Sequence, residues 1–235
     1  MRTSLQSSSL SLTIVGDRRL PGVRNSCDAG QAASFAELLQ RAQTCAVCAA
    51  SLPHPPRPVL CASPAARLLI VGQAPGRRVH ETGIPWNDPS GDRLRLWLGM
   101  TPEQFYDESR IAIVPAGLCY PGTTKGSDAA PRRECAPLWQ PPLRAAMPEI
   151  RITLLIGAYA QAYYLGKRRR RTLTDTVHAW RDFGPEYFPL PHPSPRNRLW
   201  FKRHPWFEQT VLPALRERVE AALARDNGSV DNKIQ

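Results

Sequence analysis

The 235-residue sequence predicts an α/β fold: a three-layer α/β/α sandwich around a short, mainly parallel central sheet. Apolar runs at 67–71, 111–114 and 152–156 are short and continuous enough to be strands buried on both faces. Segments of helical spacing separate them, the pattern of β and α units in a parallel sheet. The first run ends in Gly72-Gln73-Ala74-Pro75-Gly76, a tight turn at the strand end where α/β sheets build their sites.

Along the chain, 1–33 reads as a loosely ordered, Ser- and Arg-containing N-terminal extension. A short helix is expected at 34–40, with Ser34 as N-cap and Glu37 completing a capping box. The proline-rich stretch 53–58 suits an ordered, extended connector. Residues 91–98 carry apolar side chains at helical spacing and pack one face on the sheet. Thr101 caps a second short helix opened by Pro102. Segment 157–165 turns into a helix, and helices at 174–180 and 205–224 complete a domain spanning 34–225. The polar stretch 226–235 reads as a flexible tail. No internal repeat is present.

Lys and Arg number 31 against 20 Asp and Glu, a net charge of +11. Such an excess attracts polyanions through counterion release, although an Arg-rich solvated surface has the same composition. No stretch approaches the roughly 20 apolar residues that cross a bilayer, so a soluble protein without a membrane partner is expected. Six cysteines without a secretory pattern point to a reducing compartment, where clustered cysteines are more often metal ligands than disulfides. Cys45 and Cys48 form a close pair, and Cys119 and Cys135 lie far along the chain. Four thiolates can surround one centre, zinc or iron-sulfur, and spacing does not choose between them. Cys27 and Cys61 fall outside the pattern.

A second motif, His192-Pro193-Ser194-Pro195-Arg196-Asn197, follows the apolar stretch 187–191, and its prolines hold an extended loop. With the glycine loop at 72–76, it gives the chain a resemblance to the uracil-DNA glycosylase superfamily, over about 40–220. In that superfamily a G-x-x-P-G or G-Q-D-P-Y loop comes first and an H-P-S loop last. The H-P-S-P-R-N form is similar to the single-strand-selective glycosylases. The stretch 72–91, with Thr82-Gly83-Ile84-Pro85 leading to Trp86, resembles the thermophile-type iron-sulfur family.

The resemblance implies a DNA repair hydrolase that flips uracil out of DNA and cleaves its N-glycosidic bond with water, leaving an abasic site. It implies uracil-containing DNA as partner, a monomer in the cytoplasm at the nucleoid, and a 4Fe-4S cluster on Cys45, Cys48, Cys119 and Cys135. The hydrolysis itself needs no cofactor, and no lysine is placed as a Schiff-base nucleophile. Gly72, Ala74, Pro75 and Gly76 would hold the base, Trp86 would stack on it, and His192 would donate to its carbonyl oxygen. Ser194, Arg196 and Asn197 would grip phosphate or shape the loop that enters the minor groove.

Three departures from the family pattern stand out. Ala74 and Gln73 occupy the positions where related motifs carry an Asp or a Glu, and Pro115 falls near the Asn that reads the uracil edge. Gln73 can orient water but cannot act as a carboxylate base. Asn87 and Asp88 are candidates for the missing functions, Asn87 as edge reader and Asp88 as water activator or stabiliser of an oxocarbenium-like sugar. Asn-Asp-Pro-Ser is also an ordinary turn sequence. His80 and Glu81 are further candidates for the same work. Lys167, Arg168, Arg169 and Arg170, continued by Arg171, suit a phosphate track or a solvated loop. A glycosylase for another deaminated base, or a lesion-DNA-binding protein impaired in turnover, fits the same departures.

Overall fold

Leu68–Val71 (β1) is apolar at every position and fully buried, which requires a neighbour on each edge and a layer on each face. The computed structural model supplies both. It describes residues 26–124 and 126–224, with backbone alone for 26–33. The expected tail at 226–235 and residues 1–25 of the expected extension lie outside the described residues.

Four parallel strands form the central sheet in the order β2-β1-β5-β6, with β2 at Ile111–Ile113, β5 at Ile152–Ile156 and β6 at Tyr187–Leu190. Leu68 pairs with Ile111 on one side and Ile152 on the other. Pro189, which lacks a ladder donor, is tolerated because β6 is an edge strand. Side chains alternate across the sheet. Leu68, Ile70 and Leu154 enter a core with Trp97, Leu215 and Val219, while Leu69, Val71 and Leu155 enter a second with Phe35, Trp139 and Leu143. This is the expected three-layer sandwich.

The helices are α1 (Ser26–Gln43), α2 (Arg77–Thr82), α3 (Pro89–Leu98), α4 (Pro102–Phe105), α5 (Cys135–Ala145), α6 (Gly157–Leu165), α7 (Leu173–His178), α8 (Arg198–Arg203) and α9 (Leu212–Leu223). The capping box at Thr101 and Gln104 is formed. Other boundaries differ from expectation. The helix placed at 34–40 already runs from Ser26, so Ser34 is interior and is not an N-cap. Helix α3 begins at Pro89 because the Asp88 carboxylate accepts the Gly91 N–H at 2.8 Å. The helix placed at 205–224 divides into a π-type turn, Phe207–Val211, and α9.

A small antiparallel hairpin of β3 (Thr123–Thr124) and β4 (Ser127–Asp128), exposed along both strands, stands beside the carboxyl edge of the sheet. No helix among the described residues is long and apolar enough to cross a membrane.

Candidate active site

A cavity of about 300 Å³ opens at the carboxyl edge, where the loops after β1, β2 and β6 converge. Gly72, Gln73, Ala74, Pro75 and Gly76 line it from the first loop, Pro115 from the second, and His192, Ser194 and Arg196 from the third. The two sequence motifs therefore meet. Trp86 and Asp88 add a wall from the stretch between α2 and α3, and Ser90 adds to it from the first turn of α3.

Trp86 lies close over the end of β1: a Cβ on Gly72 would stand 2.9 Å from its Cζ2. Its φ of 55° is left-handed, unusual for a bulky residue and costing on the order of 1–3 kcal/mol. Its surroundings hold it there. Arg95 donates to the Trp86 carbonyl at 3.3 Å, Tyr106 donates to that of Pro85 at 2.9 Å, and a Cβ on Gly91 would fall 1.7 Å from the Trp86 oxygen. The indole centroid is 5.7 Å from that of His192.

The final loop is tied at both ends. Asn197 Nδ2 donates to the His192 carbonyl at 2.8 Å, Arg93 donates to that of Ser194 at 3.2 Å, and the Ser194 hydroxyl accepts the Arg196 N–H at 3.2 Å. Asn197 thus shapes the loop. Burial holds the His192 pKa below the usual histidine value, outweighing the charges of Asp88 and Asp128, so the imidazole is neutral at pH 7. A second cavity, of about 200 Å³, shares Gln73 and His192 with the first and reaches Gly157, Tyr159 and Trp200.

Asp88 is the acid of the sequence reading that reaches the cavity. Its Oδ1 is engaged by the cap of α3 and its Oδ2 lies 3.9 Å from the point where a Gly76 Cβ would be. Asn87 is outside the cavity lining, although its neighbours Trp86 and Asp88 are within it. His80 and Glu81 also lie outside the lining, and the His80 ring packs with His54 and Tyr120. The carbonyls of Val114 and Pro115 are held by Nε2 of buried Gln140, each at 3.0 Å.

Asp128 is a second acid in the cavity wall, outside both sequence motifs. It lines the cavity from β4, with Oδ2 3.5 Å from that same Gly76 point. A short turn ending in a glycine, here Gly126 at φ 75°, was the available signal for the hairpin that carries it.

Residues 59–216 match the uracil DNA glycosylase superfamily. The chain belongs to that superfamily. A solution structure from Methanosarcina acetivorans, provisionally named a uracil DNA glycosylase, is 16% identical, with 68% of this chain and 97% of that one covered at a TM-score of 0.41. Membership supports DNA as substrate and glycosylase hydrolysis as the activity.

In this uracil DNA glycosylase superfamily member, Cys45, Cys48, Cys119 and Cys135 line one narrow cavity of about 20 Å³ with Pro56, Pro58 and Arg132. All four are free thiols. Burial pushes the Cys135 thiol up to about 12 and raises Cys119 and Cys48, with the neighbouring thiols adding to it. The Cys135 sulfur accepts the Leu118 N–H at 3.2 Å. Among the described residues, no three Cys, His, Asp or Glu side chains stand ready for a single metal ion.

The basic run follows α6 and is exposed. Part of it is engaged within the protein. Arg170 pairs with Asp182, and Arg168 lies 5.8 Å over the Phe183 ring.

Proposed function

We propose that the protein excises uracil from DNA by hydrolysis and leaves an abasic site. The observation that supports this most is the meeting of an aromatic face, a neutral buried histidine and a fixed carboxylate in one cavity: Trp86, His192 and Asp88. A base rotated out of the stack lies on Trp86. His192 donates to its carbonyl oxygen as the C1′–N1 bond lengthens and negative charge gathers on the base, work that a neutral imidazole performs without a full proton transfer. Asp88 faces the sugar and stabilises positive charge developing there. The backbone of Gln73, Ala74, Pro75 and Gly76 meets the base edge, while Ser194, Arg196 and the exposed Lys167, Arg169 and Arg171 meet phosphates.

Cys45, Cys48, Cys119 and Cys135 would hold a 4Fe-4S cluster, zinc being the other group such a donor set takes. The cluster would tie the chain after α1 to the start of α5 and supplies no step of the hydrolysis. Iron, sulfide and zinc analysis of anaerobically purified protein decides between them, and Cys135→Ser should lower the bound metal and the melting temperature together.

Single- and double-stranded oligonucleotides containing one uracil, treated with alkali after incubation, test the activity. Strand cleavage is expected, reduced about 10²–10³-fold by His192→Ala, the loss typical of one charge-stabilising donor. Asp88→Asn should lower it comparably while leaving α3 capped, because Asn caps as well as Asp. Pro115 and the position of Asn87 favour one second reading, excision of another deaminated base. Preferential cleavage of a hypoxanthine or xanthine oligonucleotide would establish it. Tight lesion binding without cleavage would leave a binding role.

A further inference from the structure

The loop after β1 contains no acid, and Gln73 uses its amide to hold a neighbour: Nε2 donates to the Ala129 carbonyl at 3.0 Å. Ala129 directly follows β4, so this bond fixes the returning strand of the hairpin against the cavity. Three further bonds hold the same element. Arg196 from the final loop donates to the Ser127 hydroxyl at 3.4 Å, Ala129 N–H meets the Gly122 carbonyl at 2.9 Å, and the Tyr120 and Thr123 hydroxyls meet at 2.7 Å. A hairpin of two-residue strands with no buried face cannot hold its place alone. What these bonds deliver to the cavity is the carboxylate of Asp128.

Asp128 and Asp88 face one gap. The Gly76 Cβ point lies 3.5 Å from Asp128 Oδ2 and 3.9 Å from Asp88 Oδ2, and both charges act on the His192 imidazole. The carboxylates differ in their own partners. Asp88 Oδ1 is bound by the Gly91 N–H at the start of α3, which suits a standing negative charge beside a developing cation. Among the described residues, no hydrogen bond reaches the Asp128 carboxylate, and this exposed residue stands in the cavity wall. An exposed acid there opposes the phosphates of a polyanionic substrate, a cost that a purely structural residue has no reason to impose.

We infer that Asp128 is a catalytic residue, the carboxylate that orients and deprotonates the attacking water, and that Gln73 is the positioning residue that holds it. The inference rests on the uracil-excision reading. The step balances as a hydrolysis. The water oxygen forms a bond to C1′ as the C1′–N1 bond breaks, and the electron pair of that bond leaves with the uracil as an anion hydrogen-bonded to His192. The water proton passes to Asp128, from which it returns to solvent or to the departing base.

Single-turnover excision from a uracil oligonucleotide, with Kd measured on the same DNA by fluorescence anisotropy, tests this in the full chain. Asp128→Asn should lower the rate constant about 10²–10⁴-fold, the usual contribution of a general base. Its Kd should stay equal or tighten, because a charge facing phosphate is gone. Asp128→Glu should restore part of the rate. Gln73→Ala should slow the step at saturating DNA with Kd held, and the double variant Gln73→Ala/Asp128→Asn should be no slower than Asp128→Asn, since both remove one function.

A rate within about threefold of wild type in Asp128→Asn would overturn the inference while leaving uracil excision standing. A Kd that weakens in step with the rate would also overturn it, as would fully multiplicative effects in the double variant. Absence of cleavage by the wild-type chain would overturn the uracil-excision reading itself, and the assignment with it.

Discussion

Gly76 has an ordinary backbone, φ −78° and ψ 175°, so conformation does not demand a glycine there. Its missing side chain leaves the gap between Asp88 and Asp128. Contacts of 3.5 and 3.9 Å are normal van der Waals distances, so Gly76→Ala is expected to fold with an unchanged melting temperature. The methyl would nevertheless occupy the place of the water or of C1′. Excision at saturating DNA should then fall by more than about tenfold, the cost of a misplaced reacting group, and calorimetry beside single-turnover kinetics reads both quantities. Gly91 is the opposite case, because a Cβ 1.7 Å from the Trp86 carbonyl cannot be accommodated without moving the backbone. Gly91→Ala should cost more than about 2 kcal/mol in urea unfolding and disturb the indole that lies over Gly72. Two glycines of similar appearance in the sequence thus do different work, one leaving room for substrate and the other for the protein itself.

Among the elements, the segment joining α6 to α7 divides its basic run between folding and binding. Arg170 is paired with Asp182, an exposed pair worth at most about 1 kcal/mol, so Arg170→Ala should lower the melting temperature slightly. Lys167 and Arg171 have no such pairing among the described residues. The double variant Lys167→Ala/Arg171→Ala should weaken DNA binding uniformly across sequences and reduce the slope of log K against log salt by about one to two, as measured by salt titration. The run was visible in the sequence as charge, but its division was not, because Asp182 and Phe183 lie outside its local pattern. Three strands of the central sheet, the Thr101 cap and the two site loops were legible because continuous apolar runs, caps and Gly-Pro turns are local signals. Helix α5 was not, since Pro141 and Pro142 read as breakers, and burial of Trp139 and Leu143 outweighs that propensity. The hairpin was hidden because two exposed residues per strand carry no periodicity. Asp128 was hidden with it, as was the long-range bond from Gln73 that holds it in place.

For the molecule as a whole, acid is expected to be destabilising through two histidines, one in the cavity and one outside it. Burial lowers the pKa of His192, against the opposing pull of Asp88 and Asp128, and burial followed by His54 and Arg57 lowers that of His80. Both folded-state values lie below the unfolded value near 6.5, so between the two the unfolded chain binds more protons than the folded one. Stability therefore rises with pH across that window: it is fully present above about pH 6.5 and is lost as pH falls through the folded-state values. Urea unfolding from about pH 7.5 down to about 5 should show the loss, and His80→Gln or His192→Gln should each flatten the curve. A chain of net charge +11 offers a competing cause, because added protons increase its self-repulsion. Salt separates the two. Repulsion among exposed charges fades when ionic strength rises towards 1 M, where the screening length is about 3 Å, and with it the part of the His80 effect due to His54 and Arg57, whereas the penalty for charging the buried His192 imidazole persists. A pH slope that survives high salt in the wild type and shrinks in the histidine variants would assign the loss to burial, and one that salt abolishes would assign it to the net charge.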